Sequence, residues 1–590
     1  MMETASTYSP SAPSVRARNI AASLSKRAAQ QPLSHAVVFP HSRDRRGRVC
    51  YTHLTYAQLD ADSNRAAYAL QRHGLCAGQR AVLMVPPGLD FFTLTFALFK
   101  IGAIPILIDP GMGVKNLGAC LQQVQPQVFI GNLKANLARK ILGWGKSSLR
   151  LAVSTSSLPL PQTSRLAEIL AHTPTAPTFE IHQPEVNSLA AILFTSGSTG
   201  PAKGTEYTHE NFYAQIDTLK KLYAIQPGEV DLCTFPLFAL FAPALGMTAI
   251  VPDMDASKPG KVDPARIFEA FDNFQITNMF GSPALLRRVA ASGSRQGRKL
   301  PSLKRIISAG APVPTDILGQ LAEMLSRDSK NASSEGLTPE VSTPEVFTPY
   351  GATEALPVCS IGSREILQHT AAKTAEGHGI CVGRPVDGID LKIISITDAP
   401  ITSWDAAELL PTGSIGEICV RGPQVTSGYF CLEQATAAAK IYTETGGFYH
   451  RMGDVGYLDE QGRVWFCGRK NHRVVTATAT LFTIPCEAVF NLHPQVARTA
   501  LVGCSEGQTQ RAVLCVELDK DVSEPQKEAI ISDLRQIQRQ YPHTAEICAF
   551  LLHPQFPVDV RHNAKIFREK LALWAQKRWA QARQEQEPLP

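Results

Sequence analysis

The sequence lacks the patterns that mark several large classes of protein. Its 13 cysteines include no C-x-x-C pair and their number is odd, which argues against a zinc site and a disulfide framework. The N-terminus shows no basic segment followed by an apolar one, as a secretory signal would. The longest uncharged run, 232–252, is interrupted by three prolines and a glycine, so we expect no membrane-spanning helix. We therefore expect a cytoplasmic protein.

Charge and repetition are also weak. The 590 residues carry a net charge of +6, with no basic stripe and no alternation of aromatic and basic residues, so a nucleic-acid partner is not expected. No internal repeat is visible. Apolar residues make up 44% of the chain and charged residues 19%, which is ordinary for a globular protein, and the length suffices for three or four domain-sized units.

Alternating elements indicate the fold class. Between residues 51 and 308, short apolar runs alternate with amphipathic helices, which predicts an α/β protein with parallel βαβ units. From Gly383 onward, short β-like runs separated by proline and glycine predict a smaller barrel-like β subdomain. The predicted divisions are a disordered tail at 1–14, a large N-terminal domain at 15–468 with a loop insertion at 326–344 and the β subdomain at 383–468, and a small mobile α+β domain at 469–590.

A loop of glycines and hydroxyl residues directly follows a predicted buried strand at 189–193. The loop consists of Thr195, Ser196, Gly197, Ser198, Thr199 and Gly200, and Lys203 stands just after it. Glycine allows close approach of the backbone, and hydroxyl and N–H groups cradle phosphate oxygens. The P-loop pattern fails at Ala202 and Gly204, and the nucleophile elbow fails at Ser196. The loop therefore predicts a phosphate site of another kind.

A second motif carries a carboxylate. Tyr350, Gly351, Ala352, Thr353 and Glu354 follow a short predicted strand at 346–348. Magnesium prefers hard oxygen ligands, so a carboxylate in a loop beside phosphates is a natural ligand for it. Without the phosphate loop, a helix-capping or solvent-facing Glu354 would be the ordinary interpretation.

These two motifs, in this order, resemble those of the adenylate-forming (acyl-activating) enzymes, which include acyl-CoA synthetases and luciferases. The resemblance implies that the 195–200 loop and Lys203 hold the phosphates of ATP. It also implies that Thr353 contacts the α-phosphate, that Glu354 binds Mg²⁺, and that Tyr350, with Gly351, lies against adenine. The resemblance further assigns Gly310, Ala311 and Pro312 to the adenine-side loop, and Asp454 and Arg469 to the ribose.

The same resemblance implies a catalytic lysine on the small domain. Lys565 stands where the family has a lysine that neutralises charge growing on the reacting oxygens. The hinge about which that domain turns would be at Asn471, where the family often has aspartate.

Other segments depart from the acyl-CoA ligase pattern. Ala239 replaces the histidine that usually follows Pro-Leu-Phe, and no glycine occurs between Arg473 and Phe490, where the family has a loop close to CoA. Over about 17–580, the chain looks most like the β-lactone synthetases of bacterial olefin biosynthesis. The most specific segments are 235–241, 251–255, 278–286, 350–357, 481–487 and 561–570.

This second resemblance implies a reaction and an acyl pocket. A long-chain 2-alkyl-3-hydroxy fatty acid would be activated by ATP and Mg²⁺ as acyl-AMP. Its 3-hydroxyl would then close a β-lactone, releasing AMP after pyrophosphate. The resemblance also suggests other enzymes of the olefin pathway as partners. The predicted acyl pocket comprises Phe238, Ala239, Phe241, Phe280 and Gly281.

Two alternatives remain open from the sequence. A long-chain acyl-CoA or acyl-carrier-protein ligase would use the same adenylation residues. A nucleotide-binding scaffold without catalysis is disfavoured by the joint presence of Lys203, Glu354, Asp454 and Lys565.

Overall fold

A computed structural model describes residues 18–109, 112–174, 179–194, 202–326, 343–507, 509–520, 522–558 and 566–584. The predicted tail at 1–14 and most of the predicted insertion at 326–344 lie outside these residues. No helix in the described ranges is long and apolar enough to cross a membrane.

The described strands are, in chain order, β1 (His35–Arg43), β2 (Val49–Thr55), β3 (Arg80–Met84), β4 (Ile104–Leu107), β5 (Val128–Gly131), β6 (Leu151–Ser154), β7 (Ser164–Arg165), β8 (Leu189–Phe194), β9 (Gly204–Thr208), β10 (Val230–Cys233), β11 (Thr248–Ile250), β12 (Asn278–Phe280), β13 (Arg305–Ile307), β14 (Glu345–Ala352), β15 (Ala355–Gly362), β16 (Ile380–Pro385), β17 (Asp390–Ile394), β18 (Gly416–Arg421), β19 (Lys440–Tyr442), β20 (Phe448–Leu458), β21 (Val464–Arg469), β22 (Val474–Val475), β23 (Thr480–Leu481), β24 (Val496–Glu506), β25 (Thr509–Leu518) and β26 (Ile547–Leu552).

The described α-helices are α1 (Ala22–Gln30), α2 (Tyr56–Arg72), α3 (Leu89–Ile101), α4 (Val114–Val124), α5 (Leu133–Leu142), α6 (Leu166–Ala171), α7 (His209–Leu222), α8 (Pro236–Ala239), α9 (Phe241–Leu245), α10 (Pro264–Asn273), α11 (Pro283–Arg295), α12 (Thr315–Leu325), α13 (Ser363–Glu365), α14 (Ala371–Ala375), α15 (Glu433–Ala439), α16 (Thr483–Phe490), α17 (Glu524–Gln540) and α18 (Arg568–Gln584).

A seven-stranded sheet occupies the first part of the chain, in the order β7-β6-β5-β3-β4-β8-β9. All of its pairings are parallel except that of β8 with β9. The helix α3 is apolar on almost every face and is buried against this sheet. Its one charged residue near the end, Lys100, is fully buried and forms an ion pair with Asp60 at 2.7 Å, as a buried charge requires.

A larger sheet of fourteen strands includes the path β17-β18-β20-β21-β16-β15-β14-β13-β12-β10-β11-β1-β2. The strands from β14 to β1 pair in parallel, and those from β14 to β17 pair antiparallel. The short runs after Gly383 therefore continue the large sheet through β16, because β16 pairs with β15 on one side and β21 on the other.

The C-terminal residues form a separate three-stranded sheet, β24-β25-β26, covered by α16, α17 and α18. The guanidinium of Arg568 at the start of α18 bonds the carboxylate of Glu487 on α16, with Nη2 and Oε2 2.7 Å apart. The predicted α/β class, with a large N-terminal part and a small α+β part, is confirmed by this architecture.

Capping and burial stabilise several of these helices. The hydroxyl of Thr55 caps α2 and Gln58 completes a capping box. Phe268 and Phe271 of α10 are buried. The 13 cysteines are all free.

Candidate active site

The hairpin of β14 and β15 carries the motif with the predicted magnesium ligand. β14 extends through Ala352, which pairs with Ala355, so the motif lies on a strand and its turn and not in a loop after a short strand. Thr353 and Glu354 form the turn. At Gly351 a Cβ would lie 2.5 Å from the carbonyl oxygen of Ala355. Since a backbone atom cannot move aside there, only glycine fits.

Tyr429 contacts both Glu354 and Lys203, two residues of the predicted phosphate site. Its hydroxyl donates to Glu354 Oε1 at 2.8 Å. Lys203 Nζ lies 4.7 Å from the centre of its ring, within the range of a cation–π contact. Burial raises the pKa of Tyr429, so the phenol stays protonated and keeps donating. The Tyr207 hydroxyl fixes the other side of the turn by donating to the carbonyl of Thr353.

Two basic residues behind this site carry no signal in the sequence. Lys440 is 2% exposed and donates to the carbonyl of Thr426, whose N–H donates to the Glu354 carbonyl at 2.9 Å. Burial lowers the pKa of Lys440 to about 7, against the opposing effect of two nearby carboxylates. Burial, with Lys440 and Lys203 nearby, holds the pKa of His450 well below its ordinary value. His450 is therefore neutral at pH 7.

The predicted nucleoside residues lie together. Tyr350 donates its hydroxyl to Asp454 Oδ2 at 2.6 Å, and Arg469 Nη1 lies 2.9 Å from Asp454 Oδ1 as an ion pair. The angle of that ion pair leaves Oδ1 without a hydrogen bond, although the atom is buried. Burial raises the pKa of Asp454, and Arg469 and Tyr350 oppose the rise. The structure thus offers an approaching hydroxyl one buried acceptor that is ion-paired but not hydrogen-bonded.

The predicted adenine-side loop begins after the carboxyl end of β13. The N–H of Ser308 donates to the Phe347 carbonyl at 2.9 Å, and its buried hydroxyl has no hydrogen-bond partner among the described residues. Gly310 adopts φ +94°, a conformation that favours glycine, and Ala311 and Pro312 complete the turn. The loop borders the same edge of the sheet as Tyr350.

An open cleft lies beside the hairpin, with an empty volume of about 690 Å³ that includes space open to solvent. Its lining residues are Gln215, Leu219, Ile225, Asp231, Phe238, Phe241, Ala242, Leu245, Met247, Phe280, Ile307, Ala309, Pro349, Leu356 and Pro357. The rings of Phe238 and Phe280 stack with their centres 4.4 Å apart. Of the predicted acyl-pocket residues, Phe238, Phe241 and Phe280 line this cleft, while Ala239 is packed in the core and Gly281 faces Leu286.

The lining contains only two polar side chains, Gln215 and Asp231. The thiol of Cys233 donates to Asp231 Oδ2 at 3.0 Å. Burial raises the pKa of Asp231 to about 6, against the opposing thiol and Arg305. Neither polar residue was identified from the sequence, because Gln215 is one of many polar residues on α7 and Asp231 is a single charge in a short apolar strand.

The predicted hinge residue Asn471 lies in a 3₁₀ turn at Lys470–His472. Lys470 Nζ lies 3.2 Å from Glu417 Oε1, which ties the turn to the large sheet. His472 Nε2 lies 3.3 Å from Glu569 on α18, so the start of the last helix contacts this turn. The structure therefore places Asn471 between the large and the small part of the chain.

Two predicted elements lie outside the described residues. They are the phosphate loop, with Thr195, Ser196, Gly197, Ser198, Thr199 and Gly200, and the predicted catalytic residue Lys565. The described neighbours of the loop are Phe194, which ends β8, and Lys203, which precedes β9.

The fold and the clustered motifs define an AMP-binding, adenylate-forming enzyme. The AMP-binding enzyme family model matches residues 24–430, and the chain belongs to this family. Two of its most similar relatives are olefin beta-lactone synthetases. That of Xanthomonas campestris pv. campestris is 44% identical over 562 residues, covering 94% of this chain and 97% of the relative. That of Stenotrophomonas maltophilia is 45% identical over 563 residues, covering 94% and 98%.

A solved structure shares the fold. The o-succinylbenzoate coenzyme A synthetase MenE from Bacillus subtilis, in complex with ATP and a magnesium ion, superposes with a TM-score of 0.70 at 19% identity. The match covers 94% of this chain and 100% of that one. At this identity the likeness concerns the fold alone.

Proposed function

We propose that this chain is an ATP-dependent, AMP-forming ligase that converts a long-chain 2-alkyl-3-hydroxy acid into a β-lactone, AMP and pyrophosphate. The observation that carries the proposal is the position of the apolar cleft. Pro349, Leu356 and Pro357 line it and also flank the turn with Thr353 and Glu354. An acyl chain in the cleft would therefore present its carboxylate to the nucleotide residues.

The nucleoside of ATP fits the residues present. Asp454 Oδ1 is a buried acceptor without a hydrogen bond, and a ribose hydroxyl would supply the donor that it lacks. We assign Arg469 to the same ribose, Tyr350 and the loop at 308–312 to adenine, and Thr353 to the α-phosphate.

Magnesium also fits the site. The described residues contain no group of three or more His, Cys, Asp or Glu side chains suited to a metal. Mg²⁺ commonly takes one or two carboxylates and completes its shell with phosphate oxygens and water, so Glu354 alone suffices. When bound, the ion supplies positive charge that neutralises the phosphates. Lys203 adds to this positive charge, since its Nζ lies 4.7 Å from the ring centre of Tyr429, whose hydroxyl bonds Glu354.

Lys565 would act in the adenylation step. We assign to its ammonium group the stabilisation of negative charge on the α-phosphate and carboxylate oxygens. The small domain, 469–590, would move about Asn471, which lies in the turn that joins it to the large sheet.

The second step needs no external nucleophile. The 3-oxygen bonds to the acyl carbon, the bond between that carbon and the phosphate oxygen breaks, and AMP leaves with the electron pair. The proton of the 3-hydroxyl is released to solvent. Holding the hydroxyl beside the acyl carbon replaces a second binding event, which is worth a large factor in rate.

A tight turn supports a reaction without CoA. Between β22 and β23, the Thr476 hydroxyl accepts the N–H groups of Thr478 and Ala479 at 3.3 and 3.0 Å. This turn stands where acyl-CoA ligases have a glycine loop close to the thiol arm. The remaining candidate, an acyl-CoA or acyl-carrier-protein ligase, would need that approach.

We place the reaction in the cytoplasm, and the free state of all 13 cysteines supports a reducing compartment. Substrate supply would come from an enzyme that makes 3-hydroxy acids, and other enzymes of the olefin pathway are the partners that we expect.

Adenylation and closure are separated by one pair of substrates. With ATP and Mg²⁺, the 3-hydroxy acid should give continuous AMP and pyrophosphate release. The 3-deoxy acid should release at most about one pyrophosphate per enzyme, because its acyl-AMP has no internal nucleophile. Continuous turnover of the 3-deoxy acid without CoA would contradict the proposal.

A further inference from the structure

The acyl cleft contains an amide whose oxygen lacks a partner. Gln215, on α7, is 4% exposed and lines the cleft. Its Nε2 donates to the Leu356 carbonyl at 3.1 Å, and since a carbonyl only accepts, this bond identifies the nitrogen end of the amide. Gln215 Oε1 is buried without a hydrogen-bond partner among the described residues. A buried acceptor in this state is costly until a donor reaches it.

Gln215 lies at the catalytic end of the cleft. Leu356, to which it is bonded, follows Glu354 by two residues. Tyr207, whose hydroxyl bonds the Thr353 carbonyl, is also a neighbour of the Gln215 amide. The amide is thus held by the same elements that hold the turn.

Asp231 lies much deeper. It pairs with Asn278 on β12, and Asn278 pairs with Arg305 on β13. Arg305 precedes Ser308 by three residues, which corresponds to roughly 10 Å along a strand. A 3-hydroxyl is only two carbons from the carboxyl carbon, so it must lie at the end where Gln215 is.

We propose that Gln215 Oε1 accepts a hydrogen bond from the substrate's 3-hydroxyl, so that Gln215 selects 3-hydroxy acids and orients their oxygen toward the acyl carbon. The identity of the acid rests on the function proposed above. A neutral amide does not take up the hydroxyl proton, so Gln215 is a specificity and positioning residue and not the base.

The first test uses the unchanged enzyme and three acids that differ only at carbon 3. They carry a hydroxyl, a hydrogen or a fluorine at that carbon. The rate of adenylation is measured as pyrophosphate release in a single turnover. Fluorine is close to a hydroxyl in size but cannot donate. The 3-deoxy and 3-fluoro acids should therefore both need about 10- to 100-fold higher concentrations for half-maximal rate. Equal concentrations for the 3-hydroxy and 3-fluoro acids would overturn the proposal.

The second test changes the protein. Gln215→Met keeps an unbranched chain of similar length but removes the oxygen. The half-saturating concentration of the 3-hydroxy acid should rise to that of the 3-deoxy acid. For the 3-deoxy acid, both the half-saturating concentration and the maximal rate should change by less than about threefold. Asp231→Asn is the matched control at the deep end of the cleft and should keep the preference for the hydroxyl. If Gln215→Met raises the half-saturating concentrations of both acids equally, Gln215 only holds Leu356 in place and does not recognise the hydroxyl.

The outcomes separate this proposal from the proposed function. If the enzyme prefers the 3-hydroxy acid but yields no lactone, the function fails and hydroxyl recognition stands. If lactone forms while the preference survives Gln215→Met, the function stands and the assignment of Gln215 is wrong. If Gln215→Met does not fold, the three acids with the unchanged enzyme decide.

Discussion

The proposed nucleotide side and the proposed acyl side of the site are built differently. On the nucleotide side, polar groups bond one another across strands, as Tyr350, Asp454 and Arg469 do. On the acyl side, an apolar wall contains two isolated polar residues, Gln215 and Asp231. The first arrangement orients charged groups before the ligand arrives. In the second, a single unpaired atom is enough to distinguish one acid from another.

This difference predicts that changes on the two sides act on different observables. Changes on the nucleotide side should affect adenylation of every acid. Changes on the acyl side should affect the choice of acid or the stability of the fold.

The largest effect is expected for Lys565→Ala. Loss of a charge aimed at developing oxyanions costs on the order of 10²–10³ in rate, so acid-dependent pyrophosphate release should slow by that factor for 3-hydroxy and 3-deoxy acids alike. ATP binding, measured by calorimetry, should remain. Lys570→Ala, which removes a lysine five residues further along the chain, is the matched control. Near-normal release in Lys565→Ala would remove this residue from the mechanism.

Asp231→Asn should change stability by the next largest amount. Burial raises the pKa of Asp231 from 3.8 to about 6, so the folded chain binds this proton more tightly than the unfolded chain. Its contribution to stability is therefore present below about pH 4 and is lost as the pH rises to about 6. At neutral pH the variant should be more stable by up to about 3 kcal/mol.

Denaturant unfolding at about pH 4 and pH 7.5 measures this effect. The advantage of Asp231→Asn should shrink toward pH 4, where the wild-type carboxyl is protonated. A difference that does not vary with pH would show that the charge of Asp231 is not what costs stability.

The smallest effect is expected for Glu354→Gln. A neutral amide is a poorer ligand for a hard cation, so the Mg²⁺ concentration for half-maximal adenylation should rise about tenfold, the scale of losses at supported metal sites. Tyr429→Phe removes the hydrogen bond to Glu354 but keeps the ring beside Lys203. This variant should raise the half-maximal Mg²⁺ concentration by less than Glu354→Gln does. An unchanged Mg²⁺ requirement in Glu354→Gln would show that Glu354 is not the ligand.

The two sides also differ in what the sequence predicts. The motif at 350–354 and the pair Asp454 and Arg469 are short and ordered along the chain, so a resemblance in sequence is enough to predict their roles. Tyr429 meets Glu354 across 75 residues of sequence, and Gln215 meets Leu356 across 141. No local pattern distinguishes a lone tyrosine or glutamine of this kind, since only the folded chain supplies its partner.

The fold shows the same division. Alternating strands and helices predict the parallel units, because each unit is local. The short runs after Gly383 predict a smaller barrel-like β subdomain, and the structure joins these strands to the large sheet through β16. One partner of β16 is β21, which lies about eighty residues further along the chain. A local sequence pattern does not predict a pairing over that separation.

The mass of the product tests the central claim most directly. The enzyme is given ATP, Mg²⁺, CoA and a long-chain 2-alkyl-3-hydroxy acid, and the products are analysed by mass spectrometry. The account predicts a product lighter than the acid by one water, formed at the same rate with and without CoA. An acyl-CoA thioester formed in preference to that product would contradict the account and support the acyl-CoA ligase alternative.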